Sequence, residues 1–236
     1  MMPSCAMVLA AGLGLRMRPI TLTTPKPLVT VAGRTMLDRA MDHLTHVGVT
    51  EMVVNTHWLA ERITDHLAGR PGITLSHEDV LLETGGGVAK ALKWLGQAPF
   101  FVVNSDIIWT DGAHPALDRL AQAWDDGRMD ALLLMQPTAH AVGYEGKGDF
   151  FLDPAGIPRR RRDPEVAPLL FSGVQILHPR LFQGAPLGKF SLNLLYDRAL
   201  DQGRLFGLVH DGNWYHVGTP EALPEVETLL RKAEIR

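Results

Sequence analysis

The stretch from Ala6 to Pro27, AMVLAAGLGLRMRPITLTTPKP, constrains this chain more than any other. A short apolar run breaks at Gly12 and Gly14, and Arg16, Arg18 and Lys26 follow. A buried strand that ends in a glycine loop lets backbone N–H groups approach phosphates closely. The cations after it can neutralise phosphate charge. Two common phosphate loops are excluded. A dinucleotide fingerprint needs a third glycine where Met17 stands, which removes the main reason to expect an NAD-dependent oxidoreductase. A Walker A loop needs Gly-Lys-Ser/Thr, whereas Lys26 lies between Pro25 and Pro27. The loop must hold phosphates by another scheme.

The rest of the chain alternates strand and helix. Thr35 to Val47 places Met36, Leu37, Ala40, Met41 and Leu44 at helical spacing, with Thr35 as cap and Gly48 as stop. Strands are expected at Glu51–Asn55 and Ile73–Ser76, around a helix from Leu59 to Leu67. A second glycine loop, Leu82 to Gly87 (LETGGG), precedes a helix from Val88 to Leu95. Phe100 to Asn104 (FFVVN) reads as a central parallel strand covered on both faces. A helix at Leu117–Trp124 and a strand at Ala131–Met135 follow. This pace implies βαβ units and a largely parallel sheet.

Between Gln136 and Pro168 glycines, prolines and charges accumulate, and Phe150-Phe151-Leu152 supplies apolar anchors. Hairpins grafted onto the sheet fit this stretch better than a linker. Regular structure resumes at Leu169–Leu177, with a helix at Leu192–Asp201, a strand at Leu205–Val209 and a terminal helix from Pro220. The whole, 1–236, reads as one α/β domain with a change of pattern after residue 135.

Charge and cysteine use narrow the partners. A net charge of -3 argues against nucleic acid. No stretch reaches the ~20 apolar residues of a membrane helix. The start lacks the basic region of a signal peptide, and the single Cys5 excludes an internal disulfide and suits a reducing compartment. A cytoplasmic protein is expected. His43 and His46 could share a helix face, but no third ligand at useful spacing supports zinc.

Leu9-Ala10-Ala11-Gly12-Leu13-Gly14-Leu15-Arg16-Met17-Arg18-Pro19, followed by Pro25-Lys26-Pro27, resembles the signature of the sugar-1-phosphate nucleotidylyltransferases. That resemblance implies a Rossmann-like three-layer αβα sandwich with a small β-rich sugar lobe, residues 1–135 serving the nucleotide and 136–236 the sugar. It implies a reaction of nucleoside triphosphate with sugar 1-phosphate, assisted by Mg²⁺, that gives a nucleotide sugar and pyrophosphate. By the same resemblance Leu9, Ala10, Ala11, Gly12 and Gly14 hold the nucleotide, and Arg16 and Lys26 are the catalytic cations. Glu83, Thr84, Gly85 and Gly86 hold nucleobase and ribose; the bland alternative is a glycine-rich helix start.

Asp106 ends the apolar strand and is the expected Mg²⁺ ligand; a turn or cap aspartate is the alternative. Where the family carries W-x-D-x-G-T this chain has Trp214-Tyr215-His216-Val217-Gly218-Thr219, so His216 replaces the second metal carboxylate. Imidazole suits Mn²⁺ better than Mg²⁺. Direct or water-mediated metal contact, contact with a phosphate, and a structural role all remain open. The LETGGG loop, Val103-Asn104 and Gly148-Asp149-Phe150 are most similar to the N-acetylmuramic acid 1-phosphate uridylyltransferase branch. That likeness assigns Asn104, Asp149, Ser172 and Gly173 to the sugar. Mannose- or heptose-1-phosphate guanylyltransferases are the alternative branch, and a nucleotide sensor without catalysis is the alternative class. In the run Arg159–Arg162, Arg161 or Arg162 could substitute for the lysine of the family's missing Glu-Lys-Pro; a solvated hairpin face is the alternative, with nucleic-acid binding a distant third.

Overall fold

The amino-terminal apolar run forms a strand with a parallel neighbour on each edge. In this computed structural model, which describes residues 2–234, the elements run as follows. Strands β1 (Cys5–Leu9), β2 (Thr30–Val31) and β3 (Arg34–Thr35) lead to α1 (Met36–His46), β4 (Glu51–Thr56), α2 (Ala60–Leu67) and β5 (Ile73–His77). Next come α3 (Glu83–Leu95), β6 (Phe100–Asn104), β7 (Ile107–Thr110), α4 (Ala116–Ala123) and β8 (Ala131–Pro137). Short strands β9 (Ala141–Val142), β10 (Phe150–Leu152) and β11 (Pro158–Arg160) precede the long β12 (Leu169–Leu177). The chain closes with α5 (Asn193–Asp201), β13 (Leu205–Val209), β14 (Asn213–His216) and α6 (Ala222–Glu234).

One sheet has the order β11-β10-β12-β6-β1-β4-β5, and β8 and β13 branch from β12. β5, β4, β1 and β6 are parallel, as are β8 and β13, while β12 runs antiparallel to both β6 and β8. Strand alternation builds the three layers. Ala6, Val8, Val54 and Val103 face α1, α2 and α4, whereas Met7, Val53 and Val102 face α3 and α5. Because both faces are covered, Phe100 to Val103 are apolar at every position and none is exposed.

The expected cap of α1 is present: Asp38 N–H donates to Thr35 Oγ1 at 3.0 Å, and Gly48, at φ +88°, ends the helix. Besides the two-residue β2 and β3, two strands lie outside the sequence reading. β7 and β14 pair antiparallel, and β9 joins β14 to make a separate three-stranded sheet. β7, Ile-Ile-Trp-Thr, carries β-favouring residues that the reading passed over, while the pairing of β14 with a segment about a hundred residues earlier has no local signal. The grafted hairpin divides its strands: β10–β11 extend the main sheet and β9 serves the small one. β8 straddles residue 135 and pairs with β12 and β13, so the two parts of the chain share one sheet. Among the described residues no helix is long and apolar enough to cross a membrane.

Candidate active site

The loop after β1 is held from three sides. Ala10 N–H donates to Asn55 Oδ1 at 2.7 Å, and Ser105 Oγ donates to Leu9 O at 2.6 Å. Gly14 has φ +62°, and a Cβ there would lie 2.9 Å from Thr21 Cγ2, so the turn needs glycine. Thr21 Oγ1 donates to Gly14 O at 2.7 Å, and Trp58 Nε1 donates to Thr21 O at 2.8 Å. A single 3₁₀ turn, Leu15–Met17, then presents Arg16 while the buried Met17 anchors it. Pro25 sets up a further 3₁₀ turn, Lys26–Leu28. It carries Lys26, 7% exposed, whose Nζ donates to Asp106 Oδ2 at 2.8 Å.

Asp106 sits in the turn between β6 and β7, and the β7–β14 pairing puts His216 opposite Ile107, beside it. Burial opposes ionisation of Asp106, but the Lys26 ammonium outweighs it and holds the carboxyl below the usual carboxylate range. Burial and the nearby Lys26 lower the His216 pKa, against the pull of Asp106, so the imidazole is neutral at neutral pH. The sequence-expected metal pair is thus adjacent in space. Among the described residues no group of three or more His, Cys, Asp or Glu converges, so the protein alone offers only part of a coordination shell.

The second glycine segment is helical, which corrects the loop expected from its sequence: α3 begins at Glu83. Glu83 adopts φ +61°, a conformation that non-glycine residues seldom take. Gly85 and Gly86 are buried, and both N–H groups donate to Phe190 O, at 2.9 and 3.1 Å. A Cβ on Gly85 would lie 2.4 Å from the Phe190 ring, and one on Gly86 2.2 Å from Gly188 O. The glycines therefore admit the 188–190 segment. That contact brings Ser191 to the site, while Thr84 Oγ1 accepts from Leu192 N–H at 3.0 Å. Beneath lies a buried chain: Asn55 Nδ2 donates to Glu78 Oε1 at 2.7 Å, and Leu82 N–H donates to Glu78 Oε2 at 2.8 Å.

These segments enclose a cavity of about 590 Å³, within the range of small-molecule sites. Leu9, Ala10, Ala11, Gly12, Gly14, Arg16, Lys26, Glu83, Thr84, Asn104 and Asp106 line it. Gly85, Gly86, Asp149, Ser172, Gly173 and His216 do not. Ser172 is fully buried, and its carbonyl accepts from Trp214 Nε1 at 2.8 Å. Gly173, at φ +89°, backs onto Asn104, where a Cβ would lie 3.0 Å from Nδ2. Asp149 Oδ2 accepts from Phe171 N–H at 2.9 Å. Asn55, Leu81, Ser105, Ser191 and Gly218 also line the cavity and were missed from the sequence. Asn55 gives the same signal as Asn104, a polar residue closing a buried strand, whereas Ser191 gives none.

The chain matches the model of the MobA-like NTP transferase domain over residues 6–183. It is 43% identical to the N-acetylmuramate alpha-1-phosphate uridylyltransferase of Caulobacter vibrioides, with 98% of each chain covered. Identity to the protein of that name from Neisseria meningitidis is 38%, over 95% of this chain and 97% of the relative. Among solved structures, a putative glucose-1-phosphate thymidylyltransferase from Bacillus anthracis superposes with a TM-score of 0.80 at 17% identity, covering 96% of this chain and 94% of that one. That likeness shows the same fold. The glycine loop, the Lys26–Asp106 pair and these full-length matches agree: the chain belongs to the MobA-like NTP transferases, in the sugar-1-phosphate nucleotidylyltransferase family.

Proposed function

We propose that the protein joins UTP to N-acetylmuramate α-1-phosphate, giving UDP-N-acetylmuramate and pyrophosphate. One observation supports the chemistry above the rest: the Gly12–Gly14 loop, Arg16 and the Lys26–Asp106 pair face a single cavity with Thr84. The choice of base and sugar follows the names of the two full-length relatives.

In this reaction a phosphate oxygen of the sugar phosphate attacks the α-phosphorus of UTP. A new P–O bond forms as the bond to the β-phosphate oxygen breaks, and pyrophosphate leaves with the electron pair. The nucleophile is already anionic, so no general base is required. The barrier comes from bringing two anions together, and positioned charge lowers it. Arg16 is assigned to the β- and γ-phosphates, where a planar guanidinium can grip two oxygens. Lys26, locked by its prolines, is assigned to the phosphates of the reacting pair. Asn104 and Asp149 are assigned to the sugar.

Asp106 and neutral His216 suit a divalent cation that arrives with its own phosphate ligands. Mg²⁺ keeps several waters and needs few protein groups, and the imidazole would favour Mn²⁺. When bound, such a cation would spread the charge of the triphosphate.

The test is pyrophosphate release from UTP, GTP, CTP and dTTP against the 1-phosphates of N-acetylmuramate, N-acetylglucosamine, mannose and glucose. Release is expected chiefly with UTP and N-acetylmuramate α-1-phosphate. A preference for GTP with mannose 1-phosphate would overturn the assignment of base and sugar. Nucleotide binding without release from any pair would overturn the reaction.

A further inference from the structure

N-Acetylmuramate α-1-phosphate differs from N-acetylglucosamine 1-phosphate by one group, a lactyl ether that ends in a carboxylate. An enzyme that separates the two needs a cation at the sugar end of its cavity with donors to spare. Four consecutive arginines lie on the inserted hairpin, at positions 159–162.

Two of the four are engaged. Arg159 forms a two-point pair with Glu165, and its guanidinium lies 4.1 Å from the centre of the Phe151 ring. Arg160 pairs with Asp197, donates to Asn193 Oδ1 at 3.1 Å and lies over Phe150. Arg161 is held differently. Its backbone N–H donates to Asp149 O at 2.8 Å, and its guanidinium interacts electrostatically with Asp149 and Tyr144. Among the described residues its one side-chain hydrogen-bond partner is Asp163, two residues on and 83% exposed. Nη1 makes that pair and reaches Glu165 O at 3.4 Å, while Nε and Nη2 make no hydrogen bond among the described residues. An ion pair that exposed is weak and exchangeable.

Arg161 does not itself line the cavity, but a short chain of contacts ties it to the cavity wall. Asp149 Oδ2 holds Phe171 N–H, two residues before Gly173, and Gly173 packs on Asn104, which lines the cavity. On the other side, Gly143, next to Tyr144, presses against the carbonyl of His216, to which a Cβ would come within 2.4 Å. The Arg161–Asp149–Tyr144 group therefore joins the Asn104 wall to the strand that carries His216.

We propose that Arg161 reads the lactyl carboxylate, exchanging Asp163 for the substrate through the free edge of its guanidinium. Such a fork binds a carboxylate through two parallel bonds. The inference rests on the sugar assignment above and makes Arg161 a specificity-determining residue.

The experiment measures kcat/KM with UTP for both amino-sugar phosphates in the wild type, Arg161→Gln, Arg161→Lys and Arg159→Ala. The wild type should favour the muramyl substrate. Arg161→Gln should lower its kcat/KM about 10- to 100-fold, chiefly through KM, as expected for a charged hydrogen-bond pair. N-Acetylglucosamine 1-phosphate should be used within about twofold of wild type, which also shows that the variant folds. Arg161→Lys should recover part of the loss, and Arg159→Ala should change neither substrate. An equal fall for both sugars would make Arg161 structural and overturn the inference, as would an unchanged preference. A wild type that prefers neither sugar overturns the inference but keeps the reaction class. A wild type that releases no pyrophosphate from either sugar removes the proposed function and this inference together.

Discussion

On the side of the cavity made by the Gly12 loop and α3, buried polar contacts fix the chain. Asn55 and Glu78, 3% and 1% exposed, tie Ala10 N–H to Leu82 N–H through three hydrogen bonds of 2.7 to 2.8 Å. The hairpin of β10 and β11 lies outside the cavity lining, and beside its backbone ladder and the buried Phe150 its side-chain contacts are surface ion pairs: Arg159–Glu165, Arg160–Asp197 and Arg161–Asp163. Buried polar networks are costly to break, because an orphaned partner has no water to turn to. Exposed pairs contribute little to stability and exchange with solvent. The difference matches the division of labour proposed for the two substrates. The triphosphate is common to every reaction of this kind and, in the proposed reaction, would meet the fixed side. The sugar varies, and in the proposal it would approach the hairpin whose charges can change partner.

The largest effect is expected where the two sides meet. Asp106→Asn removes the carboxylate that holds Lys26 and the proposed cation, so turnover should fall about 10²- to 10³-fold while UTP still binds. Rapid-quench turnover beside calorimetric UTP binding would check this, and near-normal turnover would remove Asp106 from the mechanism.

Glu78→Ala probes the fixed wall. It leaves Asn55 Nδ2 and Leu82 N–H without their acceptor, so stability should drop by about 1–3 kcal/mol and KM for UTP should rise. Urea denaturation and UTP kinetics test the two parts separately. A fall in stability with unchanged KM would mean that the buried chain does not position the nucleotide side.

Buried groups elsewhere should respond to pH. Burial lowers the pKa of His210, 2% exposed, and of His178 and His216. The unfolded imidazole, near ~6.5, takes up its proton first. Above that pH the three contribute no dependence, and below it stability falls toward their folded values. Melting curves from pH 7.5 down to 5 should show this slope, reduced but not abolished in His210→Gln. A wild-type slope that survives unchanged in His210→Gln would show that His210 does not contribute.

The smallest effect is expected on the exposed hairpin. Arg159→Ala should leave the urea midpoint almost unchanged, and added salt should shrink any difference. A loss as large as that of Glu78→Ala would erase the contrast between the two regions.

What the sequence revealed follows the same contrast. The glycine-loop side of the cavity was legible because its determinants are local. Glycines at fixed spacing, a lysine between prolines and an apolar strand that ends in Asn104 and Asp106 each announce themselves within a few residues. Thr35 and Gly48 marked the ends of α1 for the same reason. The helical character of Gly85 and Gly86 was hidden because glycine disfavours helix, and Phe190 and Gly188, which need the space, lie about a hundred residues away. β7, Ile-Ile-Trp-Thr, has β-favouring residues, but its pairing with β14 about a hundred residues on, which brings His216 beside Asp106, has no local pattern. The arginine run was visible, but which partners Arg159 and Arg160 take depends on Glu165, Asp197 and Phe151, a matter of packing.

The central claim is nucleotidyl transfer, and the fate of the α-phosphorus tests it most directly. UTP labelled at the α-phosphate in one reaction and at the γ-phosphate in another would be mixed with N-acetylmuramate α-1-phosphate and the enzyme. The account predicts α-label in UDP-N-acetylmuramate and γ-label in pyrophosphate, in equal amounts. Label in free UMP or inorganic phosphate, or γ-label on the sugar, would contradict it.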